Sequence, residues 1–430
     1  MPLPIYNLKM IKLNLKSVFG TGGSAVVENC QICNNSNLKS VLFLGYLPPV
    51  NQLHPIGSKP KEQPSYPAEL LYCSKCHLVQ LGLAVDPQII FPKEYPYTSG
   101  TTKVLRDNFA DLGQEVKKII GLHTEDLVVD IGSNDGTLLS NFVSYAKVLG
   151  VTPEDIGKLA IEKNIPTVLD YFRPEVVDKI KKKYGKAKVV TAANVFAHIE
   201  DVNGVLDNIV SLLQTDGVFI SESHYLYPLI RTVQYDTIYH EHLRYYSLTS
   251  LSYLLKKHGL EIFHAKQIPS HGGSIRVYAA KKGLYSKNKS VTEILAKEKE
   301  VVTSMDSLLK FKDRVVLSKL GLQSLLFDIK KKRKTIFGIS APSRASTLIN
   351  YLGLDQDILD CVVEIKGSYK IGKYIPGTKI PILEESILFK DQPDYALLLS
   401  WHIAEELIPK LKQRGFRGKF IIPLPEPRIV

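Results

Sequence analysis

Four cysteines arranged as two C-x-x-C pairs, Cys30 with Cys33 and Cys73 with Cys76, restrict the possible folds of this chain more than any other feature. Each pair places two thiolates on one tight turn, and two such turns supply the four soft ligands that a tetrahedral Zn²⁺ ion prefers. Four cysteine ligands leave no open coordination position, so the pattern predicts a structural zinc site. The alternative is a pair of disulfides, which requires an oxidising compartment that nothing else in the sequence indicates.

The segment between the two pairs depends on this metal. Residues 47–67 are rich in proline and irregular in pattern, so they can form few regular backbone hydrogen bonds of their own. A short strand is predicted over residues 68–72, directly before the second pair. Cys361 stands alone in an apolar run and is predicted to be a core residue.

A second pattern, DLVVDIGSNDG over residues 126–136, predicts a strand that ends at Asp130, followed by a glycine turn and a helix that opens at Thr137. Glycines let the backbone approach a ligand closely at the carboxyl end of a strand, where open α/β sheets bind cofactors. The glycine spacing differs from the dinucleotide fingerprint, and the turn has no P-loop lysine. It resembles motif I of the methyltransferases that use S-adenosylmethionine. The predicted cofactor-binding residues of this turn are Asp130, Gly132, Ser133, Asn134, Asp135 and Gly136.

Strands and helices alternate after the glycine turn. Strands are predicted over residues 148–151, 188–192 and 217–221, and helices over residues 158–164 and 202–213. This alternation indicates a largely parallel sheet, whose strand ends meet at one rim. The residues predicted to lie at that rim are Thr152, Ala193, Asn194, His198 and Glu222, of which the first three are predicted to bind the cofactor.

Residues 235–247, YDTIYHEHLRYYS, are crowded with groups that accept, donate or relay protons near neutral pH. Tyr239, His240, Glu241 and His242 are consecutive, and three more tyrosines flank them. This density favours an active site. The alternative is a solvated turn with aromatic side chains packed beneath it.

The C-terminal third predicts a second doubly wound unit. Strands are predicted over residues 335–340, 360–365 and 395–401, and a turn over residues 341–345 leads into a helix over residues 346–352. A loop that feeds a helix N-terminus is a ready anion site, so Ser343 and Arg344 are predicted to contact substrate, with the arginine fork suited to a diphosphate.

Length and charge bound the remaining possibilities. The chain has 430 residues, enough for two to four domains, and its 55 Lys and Arg against 43 Asp and Glu give a net charge of +12. This surplus favours an anionic partner, either nucleic acid or a phosphorylated small molecule. We find no apolar run long enough to span a membrane and no secretory signal, so we predict a cytoplasmic protein with no membrane partner.

Several segments together resemble the sugar C-methyltransferases, which add a methyl carbon to nucleotide-linked ketodeoxysugars. Besides the two cysteine pairs, the glycine turn and residues 235–247, the matching segments are YPYTSG, AANVFAHIED, HGGSIRVY, GISAPSRASTLINY and YIPGTKIPI. The resemblance implies an α/β protein with a small zinc-binding N-terminal domain, a central class I (Rossmann-like) methyltransferase domain and a second Rossmann-like C-terminal domain that helps to hold the nucleotide. We place these domains at residues 27–100, 101–300 and 301–430.

The same resemblance implies roles for single residues. It places Tyr239, Glu241 and His242 at the reaction centre. Our own hypothesis is that His242, tuned by Glu241, takes the proton from the carbon beside the ketone and so forms an enolate. His198 matches the histidine of the family's AHxxD motif, and either Tyr95 or Tyr97 matches its N-terminal tyrosine. These residues and Tyr239 are predicted to donate hydrogen bonds to the enolate oxygen or to orient the sugar. His271 and Arg276 of the HGGSIR segment are the next predicted substrate contacts.

The sequence departs from the family after the second strand of the central domain. Relatives usually carry an acidic residue there for the ribose hydroxyls of the cofactor, whereas this chain has Thr152. A hydroxyl cannot accept two charge-assisted hydrogen bonds as a carboxylate does, and Glu154 or Asp155 from the next turn can compensate.

The leading prediction is an enzyme that uses S-adenosylmethionine to methylate a nucleotide-diphosphate-linked keto(deoxy)sugar at the carbon alpha to the ketone. Two alternatives stay open at this point. The zinc site and the basic charge suit a methyltransferase that acts on nucleic acid, although aromatic and basic residues are not interleaved in a recognisable nucleic-acid module. Thr152 suits a catalytically inactive paralogue that serves as a binding protein.

Overall fold

The computed structural model describes residues 23–59, 62–91 and 98–430. Tyr95 and Tyr97 lie outside these ranges, so their predicted part in the site is not described by the structure. The strands of the described residues, in chain order, are β1 Ala25–Val26, β2 Leu38–Leu47, β3 His54–Pro55, β4 Tyr66–Cys73, β5 Val79–Leu81, β6 Leu83–Ala84, β7 Leu127–Ile131, β8 Lys147–Val151, β9 Thr167–Val168, β10 Ala187–Ala193, β11 Leu213–His224, β12 Arg244–Tyr245, β13 Leu260–Ile268, β14 Ser274–Lys281, β15 Ile336–Ile339, β16 Cys361–Glu364, β17 Lys373–Tyr374, β18 Ile382–Glu384, β19 Tyr395–Leu398, β20 Lys419–Ile422 and β21 Arg428–Ile429.

Helices alternate with these strands through the central and C-terminal parts of the chain. The α-helices of the described residues are α1 Pro87–Ile90, α2 Lys103–Ile119, α3 Gly157–Glu162, α4 Pro174–Tyr184, α5 Val202–Leu212, α6 Leu226–Arg231, α7 Leu248–Lys257, α8 Lys289–Glu298, α9 Met305–Lys331, α10 Ser343–Leu352, α11 Ser386–Asp391 and α12 Ala404–Gln413. Within the part of the chain that the structure describes, none of them is long and apolar enough to cross a membrane.

The central sheet has seven strands in the order β13-β14-β11-β10-β7-β8-β9. The strands from β9 to β11 run parallel, and β13 and β14 close the other edge as antiparallel strands. Every residue of β7 is buried, as expected for a strand with helices on both faces. The predicted parallel sheet is confirmed.

The prediction of a helix that begins at Thr137 is wrong. Only a short 3-10 turn at Leu139–Asn141 follows the glycine turn. The side-chain amide of Asn141 donates to the carbonyls of Thr137 and Leu138, and the Thr137 hydroxyl donates to Asp135. These local bonds occupy backbone acceptors that a helix would use, so they compete with it.

The N-terminal four-stranded sheet has the order β12-β5-β4-β2. Its edge strand β12 belongs to residues 235–247, the segment that sequence analysis singled out. Arg244 pairs with Gln80 and Tyr245 pairs with Val79, both in antiparallel register. The segment with the candidate base is therefore part of the zinc domain's own sheet, a long-range pairing that no sequence pattern indicated.

The C-terminal sheet has six strands in the order β18-β16-β15-β19-β20-β21 and is parallel except for its last strand. The predicted second doubly wound unit is confirmed. Its first helix, α10, begins at Ser343 instead of residue 346, since Pro342 precedes it with extended backbone. Arg344 thus lies in the first turn of a helix and not in a loop.

One hydrophobic core joins the two outer sheets. It includes Leu70 of β4, Ile238 of the 235–247 segment, Leu322 of α9 and Leu348 of α10, all nearly inaccessible to solvent. Residues 235–247 therefore lie where the N-terminal and C-terminal sheets meet, and both sheets fix their position.

Candidate active site

The four cysteines of the two C-x-x-C pairs converge on one point. Their sulfur atoms all lie within 4.8 Å of one another, with Cys30 to Cys76 at 3.4 Å and Cys33 to Cys73 at 3.5 Å. Zinc–sulfur bonds of about 2.3 Å at tetrahedral angles separate neighbouring sulfurs by about 3.8 Å, so the donor set fits the ion. His77 is not aimed at this centre, because its ring Nδ1 bonds the Tyr72 hydroxyl at 2.6 Å.

The glycine turn after β7 has the form of a cofactor cradle. Gly132 has a φ of +70°, and a Cβ there would lie 2.4 Å from the Val195 side chain. The buried Ser133 hydroxyl has no hydrogen-bond partner within the described part of the chain, which leaves it available to a ligand. Asp130 accepts a bond of 2.6 Å from Thr191, and burial raises the pKa of this carboxyl to about 7. A tight backbone with an unsatisfied buried hydroxyl fits a polar ligand at this rim.

Asn134 and Asp135 hold a neighbouring segment of the chain. The Asn134 side-chain oxygen accepts from the backbone N–H of Ser99 at 2.9 Å, and Asp135 accepts from Gly100 at 3.2 Å. Lys163 makes an ion pair with Asp135 at 3.5 Å. The predicted cofactor loop thus fixes residues 99–100, directly after the tyrosines that lie outside the described ranges.

A carboxylate lies beside Thr152, the residue at the position expected to bind ribose. The Thr152 hydroxyl donates to Glu154 at 2.5 Å, which brings that half-buried carboxylate to the end of β8. Asp155, the other sequence-based candidate, is exposed and pairs with Lys158 at 2.8 Å. Glu154 is therefore the better placed of the two to replace the missing acidic residue.

We expect Glu154→Gln to weaken S-adenosylmethionine binding by about 10- to 150-fold in Kd, since a hydrogen bond to a charged group contributes about 1.5–3 kcal/mol. Thr152→Val, which removes the hydroxyl that holds Glu154, is expected to have a smaller effect. Isothermal titration calorimetry measures both, with Asp155→Asn as the matched control at wild-type affinity. Equal affinity of Glu154→Gln and wild type would place the ribose contact elsewhere.

The candidate base His242 lies in a cluster of aromatic side chains. Its ring centroid is 4.2 Å from that of Tyr239 and 5.1 Å from those of His198 and His224. His224 is in turn 5.7 Å from His271. The structure therefore brings together four of the sequence-predicted residues, namely Tyr239, His242, His198 and His271.

Hydrogen bonds to backbone carbonyls fix the tautomers of two of these histidines. His242 Nδ1 donates to the Thr237 carbonyl at 3.0 Å, and His198 Nδ1 donates to the Glu241 carbonyl at 2.5 Å. A carbonyl only accepts, so in the neutral rings Nε2 carries no proton. Burial is the main cause that lowers the pKa of His242, to about 3, so this imidazole is neutral at pH 7.

Glu241 is held by the N-terminal domain. Its carboxylate accepts a bond of 2.6 Å from the side-chain amide of Asn51, and its backbone carbonyl serves His198. Arg244, three residues on, donates to the carbonyls of Ile199 and Glu200. The zinc domain therefore contributes an amide to the site, and the 235–247 segment fixes the loop that carries His198.

The two predicted substrate-contacting arginines are engaged within the chain. Arg276 is fully buried and bonds Glu222, Glu115, Asp111 and Asn108. It lies directly opposite Glu222 in the register of β14 and β11, which explains that ion pair. These bonds occupy its donors, so the geometry does not offer Arg276 to a substrate.

Arg344 presents its fork to Asp236 instead of to a diphosphate. Nε and Nη2 donate to the two carboxylate oxygens of Asp236 at 2.7 and 2.8 Å. Ser343, next to it, begins α10 and is half-buried. The bidentate edge of Arg344 is therefore already occupied by Asp236, so Ser343 is the residue of the predicted anion site whose side chain stays available to a substrate.

Sequence reasoning missed several residues of this site. His224 follows Glu222 on β11, and the same rule of strand ends would have found it if the strand had been extended beyond residue 221. Asn51, Trp401 and His402 carried no local signal, since only long-range packing brings them here. Asp236 lies within the 235–247 segment, but sequence analysis gave it no role.

Three family models match consecutive parts of the chain. They are described as "Putative zinc binding domain" over residues 30–91, "Methyltransferase domain" over residues 102–265 and "C-methyltransferase C-terminal domain" over residues 269–425. The C-methyltransferase NovU of Streptomyces niveus is 32% identical over 412 residues, which cover 94% of this chain and 97% of NovU.

Solved structures are similar to part of this chain. Magnesium protoporphyrin IX methyltransferase of Synechocystis PCC 6803 with bound S-adenosylmethionine is 15% identical, covers 41% of this chain and 79% of its own, and has a TM-score of 0.32. An S-adenosylmethionine-dependent methyltransferase of Clostridium acetobutylicum is 14% identical, covers 41% and 92%, and has the same TM-score of 0.32. At these scores neither structure bears on the substrate or the site residues.

The similarity to NovU extends over nearly the whole of both proteins, and the three family matches follow the order of the zinc site, the glycine turn and the C-terminal sheet. The chain belongs to the sugar C-methyltransferase family, and it is an S-adenosylmethionine-dependent methyltransferase with a zinc site in its N-terminal domain.

Proposed function

We propose that this enzyme methylates a nucleotide-diphosphate-linked keto(deoxy)sugar at the carbon alpha to the ketone. The observation that supports it best is the unprotonated Nε2 of His242 in a buried cluster of polar aromatic groups. A carbon beside a ketone becomes a nucleophile only when it loses its proton, and an imidazole nitrogen that carries no proton can accept it. The net charge of +12 suits a phosphorylated substrate.

In this proposal Nε2 of His242 accepts the proton as the alpha C–H bond breaks, and the electron pair forms an enolate. S-adenosylmethionine, when bound, supplies the methyl group as an electrophile on sulfur. The enolate carbon would form the new C–C bond with this methyl group as the methyl leaves sulfur, and the His242 imidazolium returns its proton to water. Glu241 is expected to orient this reaction centre through its carboxylate and its carbonyl, because both are fixed by hydrogen bonds.

Tyr239 is the expected donor to the enolate oxygen. Burial raises the pKa of its phenol well above the usual value of about 10, so the hydroxyl keeps its proton. For His198 the geometry favours the second of its two predicted roles, orienting the sugar, because its Nδ1–H donates to the Glu241 carbonyl and the neutral ring then carries no proton on Nε2. We therefore assign His198 to a substrate hydroxyl and not to the developing oxyanion.

Thymidine-diphosphate 4-ketosugars test this function directly. With S-adenosylmethionine we expect a mass gain of one methyl group. In deuterium oxide without the cofactor we expect exchange at the carbon beside the ketone. If these sugars undergo neither methylation nor deuterium exchange, the proposed substrate is refuted. Methyl transfer to RNA or DNA instead would support the nucleic-acid alternative. Absence of calorimetric binding of the cofactor would support the inactive paralogue.

The exchange reaction also predicts a pH profile. Because burial lowers the pKa of His242 to about 3, the base stays unprotonated as the pH falls, and activity is lost only on approaching that value. We expect kcat/KM for solvent exchange to stay flat from pH 8 to about 5, with circular dichroism to verify that the protein remains folded. A tenfold fall per pH unit below about 6.5, the ordinary histidine pKa, would contradict a desolvated base.

A further inference from the structure

Arg344 and Asp236 form a buried ion pair between the C-terminal sheet unit and the segment that carries the candidate base. Only 6% of Arg344 and 1% of Asp236 are exposed. The pair is bidentate at 2.7 and 2.8 Å, and Trp401 Nε1 donates to the same carboxylate at 2.8 Å. A buried carboxylate with three donors is fixed in position.

The rest of the guanidinium is engaged as well. Arg344 Nη1 donates to His402 Nδ1 at 3.0 Å, and Nη2 also approaches Gln234 at 3.4 Å. The guanidinium carbon lies 5.1 Å from the centre of the Trp401 ring. The pair, Trp401 and His402 thus form one polar cluster at the edge of the histidine cluster.

Asp236 is connected to the base through a single turn of chain. Asp236 and Thr237 belong to the 3-10 turn Tyr235–Thr237, and the Thr237 carbonyl accepts the Nδ1–H bond of His242. Helix α10 also contacts the residue directly after this turn, because the Thr347 hydroxyl donates to the Ile238 carbonyl at 3.3 Å. Because Asp236 and Thr237 are adjacent in this turn, a shift of Asp236 is expected to move the acceptor that fixes the His242 tautomer.

We infer that Arg344, through Asp236, is a positioning residue that holds the Thr237 carbonyl and thereby keeps Nε2 of His242 free to act as the base. This rests on the proposed role of His242. It assigns the C-terminal unit a part in catalysis that differs from nucleotide binding, and it replaces the diphosphate contact predicted for Arg344.

The split between kcat and KM separates the two roles. For Arg344→Lys and Asp236→Asn we expect kcat to fall by about 10²-fold, since a misplacement of about 1 Å costs on that order. KM for the nucleotide sugar is expected to stay within about threefold, as is Kd for S-adenosylmethionine. A KM raised about 10²-fold with unchanged kcat would instead make Arg344 a diphosphate ligand and overturn the inference.

A spectroscopic measurement gives the answer even where a variant is weakly active. In the NMR spectrum of ¹⁵N-histidine-labelled protein, the His242 signal is identified as the one that disappears in His242→Asn. We expect His242 to be in the Nδ1–H form in wild type and in a mixture of the Nδ1–H and Nε2–H forms in Arg344→Lys. Thr347→Val, a milder change that removes one hydroxyl, should show the same trend if the lysine variant does not fold. An unchanged tautomer in folded variants would overturn the inference.

The chain offers a matched control in Arg314. This arginine of α9 also links the C-terminal part of the chain to residues that precede the site, because it donates to the carbonyls of Ile230 and Arg231 at 3.2 and 2.9 Å. Its hydrogen bonds within the described residues do not include Asp236. Arg314→Lys should leave kcat and the tautomer unchanged. If the wild-type enzyme shows no deuterium exchange that depends on His242, the proposed function fails. If wild-type exchange is normal and Arg344→Lys also keeps the wild-type kcat, the proposed function stands and only this inference fails.

Discussion

Replacement of His242 by asparagine is expected to lower turnover and alpha-carbon deuterium exchange by about 10²- to 10⁴-fold, the range that general-base catalysis contributes. Asparagine can donate and accept hydrogen bonds, but its amide does not take a proton near neutral pH. The substitution also removes the ring that lies 4.2 Å from Tyr239. Single-turnover kinetics and mass spectrometry of the exchanged sugar measure the loss.

Cofactor binding should survive this substitution, because the glycine turn after β7 belongs to the central sheet and not to the 235–247 segment. Calorimetry with S-adenosylmethionine checks that the variant is folded and loaded. His240→Asn is the matched control, since the His240 ring bonds the Pro67 carbonyl at 3.1 Å and lies outside the cluster. Wild-type turnover in His242→Asn would end the proposed role of the base, whereas an equal loss in His240→Asn would attribute the effect to local packing.

Loss of the zinc ion is expected to unfold the N-terminal sheet and to abolish turnover with it. In small zinc domains metal binding supplies roughly 10–16 kcal/mol, which is comparable to the total stability of about 5–15 kcal/mol of an ordinary domain. Once this sheet melts, β12 loses its partner β5 and Glu241 loses its bond from Asn51. The reaction centre then loses two of the contacts that hold it in place. It loses them although, within the described residues, none of the four cysteines contacts the histidine cluster.

Cys76→Ser tests this expectation. We expect wild type to contain one zinc ion per chain by mass spectrometry, and the variant to lose it together with a cooperative part of the thermal transition. Hydrogen exchange should show loss of protection in β4 and β5, with β7 and β10 of the central sheet retained. Cys361→Ala is the matched control, because Cys361 begins β16, remote from the metal, and should keep the full zinc content. A metal-free Cys76→Ser protein with wild-type stability and turnover would contradict the structural role of the ion.

The sequence determined the parts of this protein that depend on local chemistry. Two C-x-x-C pairs define a metal site through ligand type and spacing, and the structure brings their sulfurs within 4.8 Å. Alternating strands and helices predict a parallel sheet, and a glycine turn at its strand ends predicts a cofactor rim, because residue periodicity and backbone freedom are local properties. The sequence also shows that Thr152 stands where the family usually has an acidic residue, and Glu154 from the next turn lies beside it.

The tertiary structure alone decided which partners the charged and polar groups of the site have. The sequence predicts Arg344 as an anion ligand, but in the structure its guanidinium bonds Asp236. Arg276 likewise bonds Glu222 on the neighbouring strand. The 235–247 segment became an edge strand of the zinc domain's sheet, and His198 became an acceptor through a carbonyl 43 positions away. The physical reason is that a buried charge or ring nitrogen takes the partner that packing brings within about 3 Å, and that partner has no fixed distance along the chain.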